Sequence, residues 1–209
     1  MRQSEAFISK NIIGYIDNTS NQAQKKARFC AYASLFFALR DIFAEKNADI
    51  CFSKDGKPYL INCDKKIFIS ISHCNTLSAV CLSDEGEVGI DLQDGIDAER
   101  AKRLESRFFT NLKAQNNLQA ENKIFVFKFC EDKFTLTEGN EKDFNFIEQL
   151  GDFTEKWSLA ESLLKCYGTG FGGADDVVEI QKACYSSTVR IMAEYKIYAL
   201  SISIKKTIM

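Results

Sequence analysis

The chain has 209 residues, enough for one ordinary domain or two small ones sharing an interface. Hydrophobic residues at 45% and charged residues at 27% suit a packed core and exclude a disordered chain or a coiled-coil rod. The formal net charge of −2 argues against nonspecific nucleic-acid binding, which runs on a basic surplus. No apolar run reaches about 18 residues, so no membrane span is expected. The eight cysteines include no C-x-x-C pair, and MRQSEAFISK at the N-terminus shows no secretory apolar region. Free, mostly buried thiols and a cytoplasmic location are therefore expected.

Residues 22–43 (QAQKKARFCAYASLFFALRDIF) repeat apolar side chains at helical spacing, which predicts one amphipathic helix. Its first turns carry Lys25, Lys26 and Arg28. A short strand at 50–52 leads into the turn SKDGKPYL, where Pro58, the only proline, stiffens the loop and extends Lys57. Residues 67–73 alternate with period two and put Ile67, Ile69, Ile71 and His73 on one face. Strands at 77–82 and 88–93 follow, so a three-stranded meander is expected. In the last of these, Val88, Ile90 and Leu92 point one way and Gly89, Asp91 and Gln93 the other.

The second half opens with a charged helix at 97–109. The stretch 124–139 (IFVFKFCEDKFTLTEG) reads as an added strand or hairpin. A further helix, capped by Thr154 or Asp152, runs to Tyr167 and stops at GTGFGG (168–173). Residues 177–180, 188–192 and 194–204 read as strands. Each half thus runs helix first and strands afterward. The expected fold is α+β, with two similar subdomains at 1–97 and 98–209, each a small, mainly antiparallel sheet packed on a long helix.

Some residues carry chemistry in their own right. Asp91 and Gln93, two apart on one strand face, form a hard-cation site or simply a polar strand edge. Trp157, Glu161 and Lys165 share one helix face, as a site or as a buried Trp beside a solvated ion pair. The glycines after them can bring a backbone close to phosphate. His73, the only histidine, can be a structural residue, an anion donor or a proton carrier. Lys54, Lys57 and the Lys25, Lys26, Arg28 cluster can pair with phosphates or solvate a face.

The order GKPYL (56–60), ISISHCNTLSAVCLS (69–83), VGIDLQ (88–93), RFF (107–109), WSLAESLLKCYGTGF (157–171) and YKIYAL (195–200) resembles the 4′-phosphopantetheinyl transferases. It is similar to their surfactin-synthetase-activator type, two pseudo-symmetric subdomains in one chain. The resemblance runs from about residue 22 to residue 200. It implies an enzyme that moves phosphopantetheine from coenzyme A to a serine of an apo-acyl or peptidyl carrier protein, releasing 3′,5′-ADP. Asp91 and Glu161 would hold Mg²⁺ against the diphosphate, with Gln93 as third ligand, and Lys165 would meet the diphosphate. Ser72 and His73 resemble the pair that contacts the nucleotide's 3′-phosphate. Lys57 and Pro58 match the coenzyme-binding loop, and Arg28 with Lys25 or Lys26 lies where that family places basic coenzyme contacts. Glu161 would accept the serine proton.

The chain also departs from the pattern. Gln93 stands where the family has Glu, Ala160 where it has Lys, and no acidic residue follows RFF promptly. These departures motivate an alternative, a catalytically impaired homologue that binds coenzyme A or a carrier without transfer. Arg100, Lys102, Arg103 and Arg107 would rim the carrier surface, or merely solvate a helix. The paired subdomains imply a monomer, since one chain already contains the cleft.

Overall fold

Asn21 opens the first long helix, its side chain accepting from the Ala23 and Gln24 N–H groups at 2.9 and 3.3 Å. The computed structural model describes residues 12, 16, 18, 21–74, 77–108, 123–130, 133–140, 150–193 and 196–206, with backbone alone at 107–108, 123–130, 133–140 and 174–175. Helix α1 (Gln22–Ile42) buries Ala27, Ala31, Tyr32, Leu35 and Leu39, spaced to share one face. That face meets Ile50, Ile67 and Ile69, together with Ile12 and Ile16, in a first apolar core.

Two hairpins follow α1. Strands β1 (Asp49–Phe52) and β2 (Pro58–Ile61) pair antiparallel around a tight loop. There Gly56 adopts φ +82° and Ser53 Oγ accepts from the Lys57 N–H at 3.0 Å. Strands β3 (Phe68–Cys74) and β4 (Leu77–Ser83) form the second antiparallel hairpin. Strand β5 (Val88–Gln93) does not complete the expected meander. It leaves the hairpin and pairs antiparallel with β9 (Lys196–Lys205) at the far end of the chain. This ladder crosses the 97/98 division, so one sheet contains strands from both halves. The sheet has five strands in the order β5–β9–β8–β6–β7. Strands β6 (Lys123–Cys130) and β7 (Lys133–Asn140) are an antiparallel hairpin in the segment read as an addition. Strand β6 runs parallel to β8 (Cys184–Ala193), and every other strand pairing among the described residues is antiparallel. The architecture is α+β.

β5 lies at the sheet edge yet is buried throughout, because β3 covers it in an unusual way. The β5 N–H groups that face away from β9 need acceptors. Ser70 Oγ takes the Ile90 N–H and Ser72 Oγ the Leu92 N–H, each at 3.0 Å, and Cys74 Sγ takes the Asp94 N–H at 3.3 Å. The constant offset of 20 residues (70 to 90, 72 to 92, 74 to 94) shows the two segments running in the same direction. Alternate small polar side chains of β3 thus replace a backbone ladder, while its isoleucines turn toward α1.

The other half is organised by α2 (Ala98–Phe108) and α3 (Asp152–Tyr167). α3 starts at Gly151, with no side-chain cap, so neither expected cap serves. Thr154 is instead fully buried, and its hydroxyl accepts from the Ile96 N–H at 3.0 Å. Gly168, at φ +73°, closes the helix as a left-handed C-cap. A 3₁₀ segment (Gly170–Asp176) leads into α4 (Val177–Lys182). The expected strand at 177–180 is therefore a helix. Val177 and Ile180 fall three apart and pack into the α3 core of Trp157, Leu163 and Leu164, a spacing that serves a helix as well as it breaks a strand.

α3 lies against the face of β5 and β9 that carries small residues. Gly89 stands opposite Ser203 and Asp91 opposite Ser201, and Ser162 Oγ meets Ser203 Oγ at 2.7 Å. A β-carbon on Gly89 would fall 1.8 Å from the Ser162 carbonyl oxygen and 2.5 Å from the Cys166 nitrogen, both backbone atoms that cannot rotate away. Among the described residues no helix is long and apolar enough to cross a membrane. The seven cysteines with described side chains are free thiols, and burial pushes Cys74 and Cys166 up to about 12.

Gly89→Ala should therefore lift α3 off the sheet and cost about 3 kcal/mol of stability. Urea unfolding should show a lower midpoint at unchanged slope, and an unshifted midpoint would mean the helix is not seated there.

Candidate functional site

The strand alternation of β5 turns Asp91 toward α3, where it is 2% exposed. Ser158 Oγ, on the facing helix, donates to the Asp91 carbonyl oxygen at 3.2 Å and fixes the strand at that point. Two turns further along α3, Lys165 Nζ donates to Asp91 Oδ1 at 2.7 Å and to Ser72 Oγ at 3.1 Å. It also lies 3.8 Å from Glu161 Oε2, the i, i+4 pairing that the helix period dictates. Asp91 and Glu161, 70 positions apart in sequence, thus share one ammonium group.

The charge balance of this cluster is uneven. Glu161 is raised from 4.5 to about 7, first by burial and then by the negative charge of Asp91, against the opposing charge of Lys165. A proton on Glu161 bridging to Asp91 raises it further, and the Trp157 indole counteracts in part. Asp91 Oδ1 has two donors, whereas Oδ2 is buried with no hydrogen-bond partner when Glu161 is ionised. An orphaned, buried carboxylate oxygen beside a second carboxylate is chemically suited to a hard divalent cation such as Mg²⁺, which takes one or two protein carboxylates and fills its shell with water and phosphate oxygens. No larger cluster of three His, Cys, Asp or Glu side chains suited to a metal occurs among the described residues.

His73 follows Ser72 on β3 and is depressed below 6.5, first by burial and then by the positive charge of Arg28 on α1. Lys165 depresses it further and Asp91 opposes, so Arg28, His73, Lys165 and Asp91 form one electrostatic neighbourhood. Lys25 is half-buried on the first turns of α1, and Lys26 faces solvent. Gln93 shares the Asp91 face, and its amide nitrogen is tied to the Asp94 carbonyl and carboxylate at 3.1 and 3.0 Å. Ser72 is 5% exposed and bonded to Asp91 and Lys165 instead of facing outward.

Lys57 and Pro58 line a cavity of about 170 Å³ with Ser70, Lys165, Gly168 and Gly170. The Lys57 ammonium is already engaged there. It pairs with Glu87 and donates to the Cys166 carbonyl oxygen at 2.7 Å, near the negative end of α3. Glu87, Ser158 and Phe171, which stacks on Trp157 with centroids 5.8 Å apart, were not read as site residues from the sequence. Only Gly89 left a legible trace, as a glycine inside an apolar strand.

The titration of Glu161 sets a pH dependence. Between about 4.5 and about 7 the group is protonated in the fold and ionised in the unfolded chain, so unfolding releases a proton. Its contribution to stability is whole below about 4.5 and is lost as pH rises through about 7. Relative to wild type, Glu161→Gln should gain on the order of 2 kcal/mol on moving from about pH 5 to about pH 8 without divalent cations. Urea unfolding at both pH values checks this, and a pH-independent difference would show Glu161 ionised in the fold throughout.

No family model matches the chain, and no curated protein matches it. The functional reading therefore rests on the order of motifs along the sequence and on the chemistry of these residues.

Proposed function

We propose that the chain is a 4′-phosphopantetheinyl transferase acting on coenzyme A and an apo-carrier protein. The observation that carries the reading is the convergence of the partly buried Glu161 and Lys165 beside the buried Asp91, with Asp91 Oδ2 unpartnered. Together with the order of motifs along the sequence, this supplies paired carboxylates beside a lysine, next to a cavity with a second lysine.

Asp91 and Glu161, with the Gln93 amide oxygen, would hold Mg²⁺, which when bound neutralises charge on the diphosphate. The carrier's serine oxygen bonds to the β-phosphorus of coenzyme A, and the bond from that phosphorus to the bridging oxygen breaks. 3′,5′-ADP leaves with the electron pair. Lys165 lies where it can meet the charge that builds on the diphosphate oxygens, and such transfers depend mainly on positioning and charge neutralisation. Glu161, ionised and directly or through a water, takes the serine proton. Arg28 and His73 would face the 3′-phosphate, with Lys25 or Lys26 contributing from the first turns of α1 and Lys57 at the cavity wall. The exposed Arg100, Lys102 and Arg103 on α2 suit an acidic carrier helix.

A second reading, a homologue that binds coenzyme A or a carrier without transfer, is favoured by Gln93, which brings no charge, and by Ala160, which is 1% exposed in the apolar core. Mass spectrometry of an apo-carrier incubated with coenzyme A, Mg²⁺ and the protein separates the two. Transfer adds one phosphopantetheinyl group, and Glu161→Gln should slow it by about 10²–10⁴-fold. Coenzyme A binding without any gain in carrier mass would establish the second reading instead.

A further inference from the structure

A hydroxyl has one hydrogen to give and two lone pairs to receive. Ser72 uses all three. The Leu92 N–H and the Lys165 ammonium donate to its Oγ at 3.0 and 3.1 Å, and the hydroxyl donates to Asp91 Oδ1 at 3.0 Å. To contact a phosphate, it would have to abandon one of these bonds and leave a buried polar group unmatched, which is costly.

We infer that Ser72 is a positioning residue for the Asp91–Lys165 pair and not a ligand of the nucleotide phosphate. Its consequence for catalysis rests on the transferase reading above. Ser72 and Lys165 both bind Oδ1, which fixes the rotation of the carboxylate and leaves Oδ2, buried, as its oxygen without a hydrogen bond. The same hydroxyl is anchored to the main chain next to Asp91 through Leu92, so the β3 zipper sets the height of the carboxylate as well as its rotation. Ser70 is an internal control. It makes the equivalent bond to the Ile90 N–H and is equally buried, but touches neither Asp91 nor Lys165 by hydrogen bond.

The first test needs no ligand. Acetic anhydride labelling of the intact protein, followed by peptide mass spectrometry, reads how firmly Lys165 is held. Ser72→Ala should acetylate Lys165 several-fold faster than wild type, while Ser70→Ala, matched for lost zipper bonds, should leave the rate unchanged. Equal rates in wild type and Ser72→Ala would overturn the positioning role. Should Ser72→Ala fail to fold by thermal unfolding, Ser72→Cys, with similar volume and a weak donor, carries the same expectation.

The second test uses transfer kinetics with coenzyme A and with 3′-dephospho-coenzyme A. A positioning residue predicts a fall in kcat of about 10–100-fold with both substrates and no substrate-selective rise in KM. A KM increase confined to the substrate bearing the 3′-phosphate would make Ser72 a phosphate ligand and reject the inference. If wild type transfers nothing to any apo-carrier, the transferase reading fails on its own, and the Lys165 labelling still decides the role of Ser72.

Discussion

Helix α3 rests on β5 at Gly89 so closely that only a hydrogen fits between the strand and the Ser162 carbonyl, and the reach of Lys165 and Glu161 toward Asp91 depends on that contact. A helix carrying Ser158 and Ser162 against a sheet carrying Gly89, Ser201 and Ser203 can approach further than one carrying leucines. The hydroxyls in this layer find partners, Ser162 with Ser203 and Thr188 with Ser201, so close approach leaves them satisfied. At this range, Lys165 reaches Asp91 directly, and Glu161 is brought into the same low-dielectric space.

The burial of β5 depends on two distant segments of the chain. β9, from the last residues described, supplies the backbone ladder on one edge, and β3 supplies serine and cysteine side chains on the other. An edge strand left open would present unpaired donors to solvent or to a second chain. Here the closure also holds the carboxylate-bearing residue, so the features that stabilise the edge position the chemistry. The strand that carries Asp91 thus pairs with a strand from the other half of the sequence.

Two carboxylates and one lysine in a mostly buried setting do not make an economical stability device, since desolvation offsets much of the attraction between them. The excess negative charge shows in Glu161, which is raised to about 7 by burial, by the charge of Asp91 and by the proton it shares with Asp91. A perturbed carboxyl beside a cavity with two lysines is the kind of imbalance that functional sites maintain. Lys57 shows the opposite situation, its charge already met by Glu87 and a helix-end carbonyl. Its place at the cavity wall is therefore set by internal contacts before any anion arrives.

The local features were legible in the residues. Period-two alternation showed which side of β5 carries Asp91, helical spacing put Glu161 and Lys165 on one face, and the glycines after Tyr167 marked where α3 ends, because each depends on backbone geometry within a few positions. Segment 177–180 misled because two apolar residues three apart suit a buried helix as well as their β-branched neighbours suit a strand. Long-range partners left no comparable mark. That β5 pairs with β9 and not with β4, that Ser72 is spent on Asp91 and Lys165, and that Lys57 is bound by Glu87 follow from which surfaces pack together. A side chain's donors and acceptors can be counted from the sequence, but the neighbours that use them are chosen only when distant segments meet.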